Sequence, residues 1–148
     1  MKNQEHLLIS LEERHADNIL AGTKNVELRR RTMHVNEGDF VWLYVKKPIG
    51  AVVGYAVVGE CTTGAPASVW RRFGSVSGLM KSEFMSYFNG AAAAFALGVD
   101  APKALMRPVA LADLRGASPG FHPPQFYCRL DSGSVLRDLL TRSSKPRS

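Results

Sequence analysis

Lys24, Glu27 and Arg29 are the residues whose types and spacing are best suited to chemistry. They lie in the run Gly22-Thr23-Lys24-Asn25-Val26-Glu27-Leu28-Arg29-Arg30-Arg31. Gly22 is placed to end a helix in a left-handed conformation, after which a strand can start. Side chains alternate along a strand, so Val26 and Leu28 share one face and Glu27 and Arg29 the other. Lys24 then stands at the strand mouth. Two cations beside a carboxylate can meet a phosphate or a base edge, with Glu27 accepting from an amino group. Spacing alone favours a plainer reading, a solvated strand face with a Glu–Arg pair, because exposed ion pairs are common. Arg31 extends the charge run on the Arg29 side while Arg30 points away, so the three arginines cannot line one site.

Other residues could widen such a site. Lys46-Lys47 and Arg71-Arg72 are further basic pairs. Trp42, Tyr44, Trp70 and Tyr127 have the flat faces on which bases stack. Core packing is the more common use of such residues, above all for Trp42. The histidines, His6, His15, His34 and His122, show no metal-ligand spacing, so no metal is expected. There is no phosphate-binding or dinucleotide glycine loop and no Gly-x-Ser-x-Gly nucleophile setting, and no cofactor is expected.

The whole chain has to position these groups. Its 148 residues suit one domain, and 45% hydrophobic content suffices for a core. The net charge of +6, from 19 Lys and Arg against 13 Asp and Glu, favours polyanionic partners, although it also serves solubility. Two widely spaced cysteines, Cys61 and Cys128, exclude a disulfide framework and suit a reducing compartment. No signal-peptide pattern and no apolar run of membrane-spanning length is present, so a cytoplasmic protein without membrane contact is expected.

The pattern predicts a first strand at Leu7–Leu11 and a helix over Glu12–Ala21, with Ser10 and Glu13 at capping-box spacing. Strands follow at Val26–Arg30, Phe40–Val45 and Ala51–Cys61, then helices at Pro66–Phe73 and Leu79–Phe88. Ala91–Val99 and Ala104–Leu111 read as two strands, with Pro108 placing the second on an edge. Phe126–Leu130 is a last strand and Ser134–Leu140 a short helix. Residues 1–140 are expected to form the domain, and 141–148 a disordered basic tail. Short strands with a helix between the first two suit an α+β barrel.

The stretch Leu7–Val58 resembles the ASCH family of the PUA-like superfamily. The resemblance rests on Leu8-Ile9-Ser10-Leu11, His15-Ala16-Asp17-Asn18-Ile19-Leu20-Ala21-Gly22-Thr23-Lys24 and Val26-Glu27-Leu28-Arg29-Arg30. It continues through Gly38-Asp39-Phe40-Val41-Trp42-Leu43-Tyr44 and Val52-Val53-Gly54. Pro123-Pro124-Gln125-Phe126-Tyr127 is similar to a motif of longer members. This implies a small PUA-like β-barrel with flanking helices, and a cleft linked to RNA or modified nucleobases. Family members include proposed RNA-binding regulators, ribonuclease-like proteins and amidohydrolases that deacylate N4-acetylcytidine. The amidohydrolases use a lysine after the glycine, a threonine three residues on, and a glutamate from a later helix. Lys24 matches the first and Glu83 is the nearest match for the third, but Glu27 stands where the threonine would be.

Two functions are therefore expected. In the leading one, a basic cleft binds RNA or a nucleotide, with Lys24, Arg29 and Arg31 supplying charge and Tyr44 or Tyr127 a stacking surface. In the other, the cleft hydrolyses RNA or an acylated nucleoside, with Lys24, Glu27 and Glu83 as catalytic groups.

Overall fold

The computed structural model describes residues 4–145. Six strands form one mixed sheet: β1 (His6–Leu11), β2 (Val26–Arg29), β3 (Phe40–Val45), β4 (Ala51–Gly64), β5 (Ala94–Ala110) and β6 (Tyr127–Leu130), in the order β2-β5-β4-β3-β1-β6. Five helices flank it: α1 (Glu13–Ala21), α2 (Pro66–Phe73), α3 (Lys81–Tyr87), α4 (Leu111–Ala117) and α5 (Val135–Ser143). β1 and β3 run parallel, as the intervening α1 permits, and the other pairs are antiparallel. The fold is α+β and its curved sheet is barrel-like. The hydrogen-bonded ladder has two ends, β2 and β6. Across the opening, Arg29 Nη2 on β2 donates to the Ser10 carbonyl on β1, the neighbour of β6, at 3.0 Å.

Three apolar clusters hold the sheet. Ile9, Leu11, Val41, Leu43, Val45, Leu97 and Val99 meet Ala16 and Ile19 of α1 on the inner face. Leu8, Trp42, Tyr44 and Val52 pack on the opposite face with Leu114 of α4 and Leu140 of α5. Val26, Leu28, Ala94 and Ala96 pack under Val69 of α2, Phe84 of α3 and Phe88 just after it. The sheet is thus covered on both sides near β2.

The chain departs from the sequence expectations at several places. Ser10 does not cap α1. It lies in β1, and its hydroxyl donates to the Pro124 carbonyl at 2.6 Å, while Glu12 occupies the N-cap without a side-chain bond. The two strands expected at Ala91–Val99 and Ala104–Leu111 are one strand. Register shifts against β4 and a positive φ of 47° at Ala101 carry the strand through the break between the two expected ones. Pro108 does lie where β5 has a partner on one side only, since β2 pairs just with Phe95–Gly98. α5 continues through 141–143 of the segment expected to be disordered, capped by Ser134, whose hydroxyl accepts from the Arg137 amide. Residues 146–148 of that segment lie outside the described residues.

Candidate functional site

α1 ends at Gly22, whose φ of 83° is the left-handed cap expected there. The Thr23 and Lys24 amides then fold back onto the Asn18 carbonyl, turning the chain towards β2. Pairing of Glu27 with Leu97, and of Arg29 with Phe95, fixes which way β2 faces. Residues opposite one another in a ladder share a face. Glu27 therefore points with Leu97 into the barrel, while Val26 and Leu28 point out against α2 and α3. This corrects the solvated strand face that spacing favoured: both faces of β2 are covered.

Lys24 is 1% exposed and Glu27 6%. Lys24 Nζ lies 3.3 Å from Glu27 Oε1, and Arg29 Nη2 lies 2.8 Å from Glu27 Oε2. Arg29 Nε also donates to Oε2, at 3.1 Å. Lys24 Nζ donates in addition to the Ser77 carbonyl. Burial pushes the Lys24 ammonium below its ordinary pKa, and the Glu27 carboxylate opposes that shift. A buried charge of this kind is tolerated only when it is paired and hydrogen-bonded.

The loop Ser77-Gly78 closes over Lys24. Ser77 is fully buried; its hydroxyl donates to the Gly74 carbonyl and accepts from the Leu79 amide. Gly78 has a φ of 72°, and a Cβ there would sit 3.3 Å from Lys24 Cδ. A side chain at position 78 would thus be strained and would crowd the lysine. Nothing in the sequence motif points to this loop.

The Lys24–Glu27–Arg29 cluster forms one end of a cavity of about 440 Å³, lined also by Ser10, Arg14, His15, Lys46, Leu79, Glu83 and Tyr87. An adjoining cavity of about 670 Å³ shares Ser10 and Lys46, and continues past Tyr44, Lys47, Arg115 and Pro123-Pro124-Gln125. Together they line a groove with six cationic side chains and three carboxylates.

Of the residues singled out from the sequence, Lys24, Glu27, Arg29 and Glu83 share the first cavity and Tyr44 lines the second. Glu83 Oε2 is held by Arg14 Nη2 at 2.6 Å and Oε1 accepts from the Met80 amide, and these bonds lower its pKa. Arg31 and Tyr127 line neither cavity. The Arg31 guanidinium instead lies 5.0 Å from the centre of the Phe126 ring, and the Tyr127 hydroxyl accepts from the His34 amide. Trp42 is buried and donates to His6 Nδ1 at 3.1 Å, and Trp70 packs on Phe84. Arg72 pairs with Glu60.

His15, Arg14 and Tyr87 were not singled out from the sequence. Tyr87 is 42% exposed at the cavity wall and presents the open aromatic face that Tyr127 does not. His15 directly precedes Ala16 on the buried stripe of α1, a position that could have suggested a ring facing the strand mouth. Its Nδ1 is the single buried side-chain nitrogen or oxygen without a hydrogen-bond partner among the described residues. Burial, then the nearby Lys24 charge, lowers its pKa, so the ring is neutral at pH 7. Among the described residues no three His, Cys, Asp or Glu side chains gather as a metal site, and no helix is long and apolar enough to cross a membrane.

Comparison with known proteins places this geometry. Residues 9–101 match the family described as ASCH domain. An ASCH domain-containing ribonuclease of Zymomonas mobilis subsp. mobilis is 31% identical over 125 residues, which is 83% of this chain and 82% of that protein. The crystal structure of ASCH from Zymomonas mobilis superposes with a TM-score of 0.89 at 27% identity, covering 97% of this chain and 99% of that one. A hypothetical protein from Leishmania major shares the fold, with a TM-score of 0.58 at 12% identity over 95% of each chain. The matched region contains the whole turn from Gly22 through Arg29, with its buried lysine and carboxylate, and the chain belongs to the ASCH domain family.

Proposed function

We propose that this protein is a ribonuclease that takes single-stranded RNA along the groove and cleaves it at the Lys24–Glu27–Arg29 end. The observation that carries the proposal is the buried charge cluster at the end of an open basic groove. A binding surface alone needs cations at the rim, and Lys46, Lys47 and Arg115 supply those. Fixed charges in a site that excludes water are what a reaction uses, because they act at low dielectric and need no reorganisation. The naming of the Zymomonas mobilis relative as a ribonuclease supports the same reading.

Each residue then has a role. Both Glu27 oxygens are taken, Oε1 by Lys24 and Oε2 by Arg29, so Glu27 anchors two cations instead of serving as a free base. Arg29 stands nearest the opening of the pair and meets the scissile phosphate. Lys24 is a positioning residue, enclosed by Ser77 and Glu27. Tyr87 offers a stacking face for a base.

A second reading has one observation of its own: Lys24, Glu27 and Glu83 line a single cavity, as an amidohydrolase of acylated cytidine would require. Against it, Glu27 supplies no hydroxyl nucleophile and Glu83 is bound by Arg14. The test incubates the full chain, in magnesium-containing buffer, with end-labelled mixed-sequence RNA and, separately, with N4-acetylcytidine. Shortened RNA is expected, with Arg29→Gln lowering the rate by about 10²–10³, the usual effect of losing one preorganised electrostatic contact. Deacylation without RNA cleavage would replace the proposal by the second reading. Failure to bind or cleave RNA would end it.

A further inference from the structure

We infer that His15 accepts the proton of a ribose 2′-hydroxyl, which makes it both the base of the cleavage step and the feature that selects RNA over DNA. The inference rests on the ribonuclease reading and assigns the group that reading lacks. Buried polar atoms are nearly always hydrogen-bonded, and each exception calls for a partner the protein itself does not supply. His15 Nδ1 is such an exception, on a ring that lines the cavity holding Arg14, Lys24, Glu27 and Arg29. Nδ1 is enclosed in the unliganded protein, and no hydrogen bond there fixes the tautomer or the ring flip, so the ring turns to bring a lone pair to the ligand. The carboxylates of the same cavity are poor competitors for this role: both oxygens of Glu27 and of Glu83 are already engaged, and Glu12 is an exposed side chain whose Oε2 pairs with Arg14 Nε at 3.5 Å.

The chemical partner follows from what the groove would hold. A neutral imidazole lone pair needs a donor, and the 2′-hydroxyl is the donor that RNA has and DNA lacks. When His15 takes that proton, the 2′-oxygen bonds to the adjacent phosphorus and the bond from phosphorus to the 5′-oxygen breaks. The 5′-oxygen leaves with a proton from water. The products are a 2′,3′-cyclic phosphate and a 5′-hydroxyl end. Arg29 and Arg14 lie on the same cavity wall and face the negative charge that grows on the phosphate.

The experiment uses end-labelled RNA in the same magnesium buffer and an otherwise identical strand carrying one 2′-deoxynucleotide at the principal cleavage position. Cleavage there should vanish while binding of the two strands stays within a few-fold, and the RNA products should carry cyclic phosphate ends. His15→Gln keeps a neutral carbonyl acceptor without basicity. It should retain the preference for RNA over DNA in a binding assay and lose about 10²–10⁴ in cleavage rate. His15→Leu should lose both. The deoxy substitution needs no variant, so a folding defect cannot mask the result. Products ending in 3′-hydroxyl and 5′-phosphate, or cleavage at the deoxy position, would overturn the inference and leave the ribonuclease reading intact. Normal cleavage by folded His15→Gln would do the same. Wild-type protein that neither binds nor cleaves RNA would remove both.

Discussion

Lys24→Met asks whether the buried ammonium is kept at a cost to stability. Lys24 is enclosed, with its charge shared between Glu27 Oε1 at 3.3 Å and the Ser77 carbonyl. Its folded-state pKa lies below the ordinary 10.5, chiefly through burial. A base with a depressed folded pKa binds fewer protons folded than unfolded in the window between the two values. Stability should therefore rise with pH across that window, up to about 10.5, with a slope of at most about 1.4 kcal/mol per pH unit for one proton. Below the window the folded protein carries the full cost of desolvating the charge. Methionine fills a similar volume without charge and leaves Glu27 paired with Arg29 at 2.8 Å. Relief of the desolvated charge is offset by the loss of the donor to Glu27 Oε1 and the Ser77 carbonyl, so the variant should stay within about 1–2 kcal/mol of the wild type at neutral pH. It should also lack the alkaline rise. Burial raises the Cys61 and Cys128 thiols above 9.0, which works in the opposite direction as pH climbs, but both proteins contain them and the difference cancels their effect. Urea unfolding followed by tryptophan fluorescence from pH 7 to 10.5 gives that difference directly. A difference that stays constant with pH, or a variant several kcal/mol less stable at pH 7, would refute the reasoning. Glu27→Gln should do the reverse and cost about 3–5 kcal/mol, because two buried cations lose their counter-charge.

Two further expectations concern charge. RNA affinity should fall linearly on a log–log plot against salt, and Lys46→Ala, which removes a cation shared by both cavities, should reduce the slope by about 0.7; an unchanged slope would place the RNA elsewhere. His6 is buried, and its Nδ1 accepts from the Trp42 indole, so it stays neutral with its pKa lowered to about 4 by burial and then by Arg137. Stability from this group is complete above 6.5 and is lost as pH falls towards 4, a loss of about 3 kcal/mol that His6→Gln should abolish in urea titrations.

The sequence by itself determined most of the elements and the position of the charged turn, but not α4 at Leu111–Ala117, which it did not show as a helix. The β-branched and aromatic run Phe40–Val45, the run from Ala51, and Gly22 after the apolar stripe of Ala16 and Ile19 are local signals, and local signals decide strands, helices and caps. The family pattern was legible for the same reason, since it consists of these caps and turns in order. Chain pattern could not show that both faces of β2 are covered, because that depends on β5 beside it and on α2 and α3, some forty to sixty residues later. Glu27 therefore reads as solvated in sequence and is buried in the fold. The continuity of β5 was not legible, because the pattern breaks over residues 100–103 and only the shifted register against β4 carries the strand through. Ser77, Gly78, His15 and Tyr87 join the site through tertiary packing alone. The sequence named the charges, and the barrel's long-range pairing removed them from water, which is what gives them chemical force.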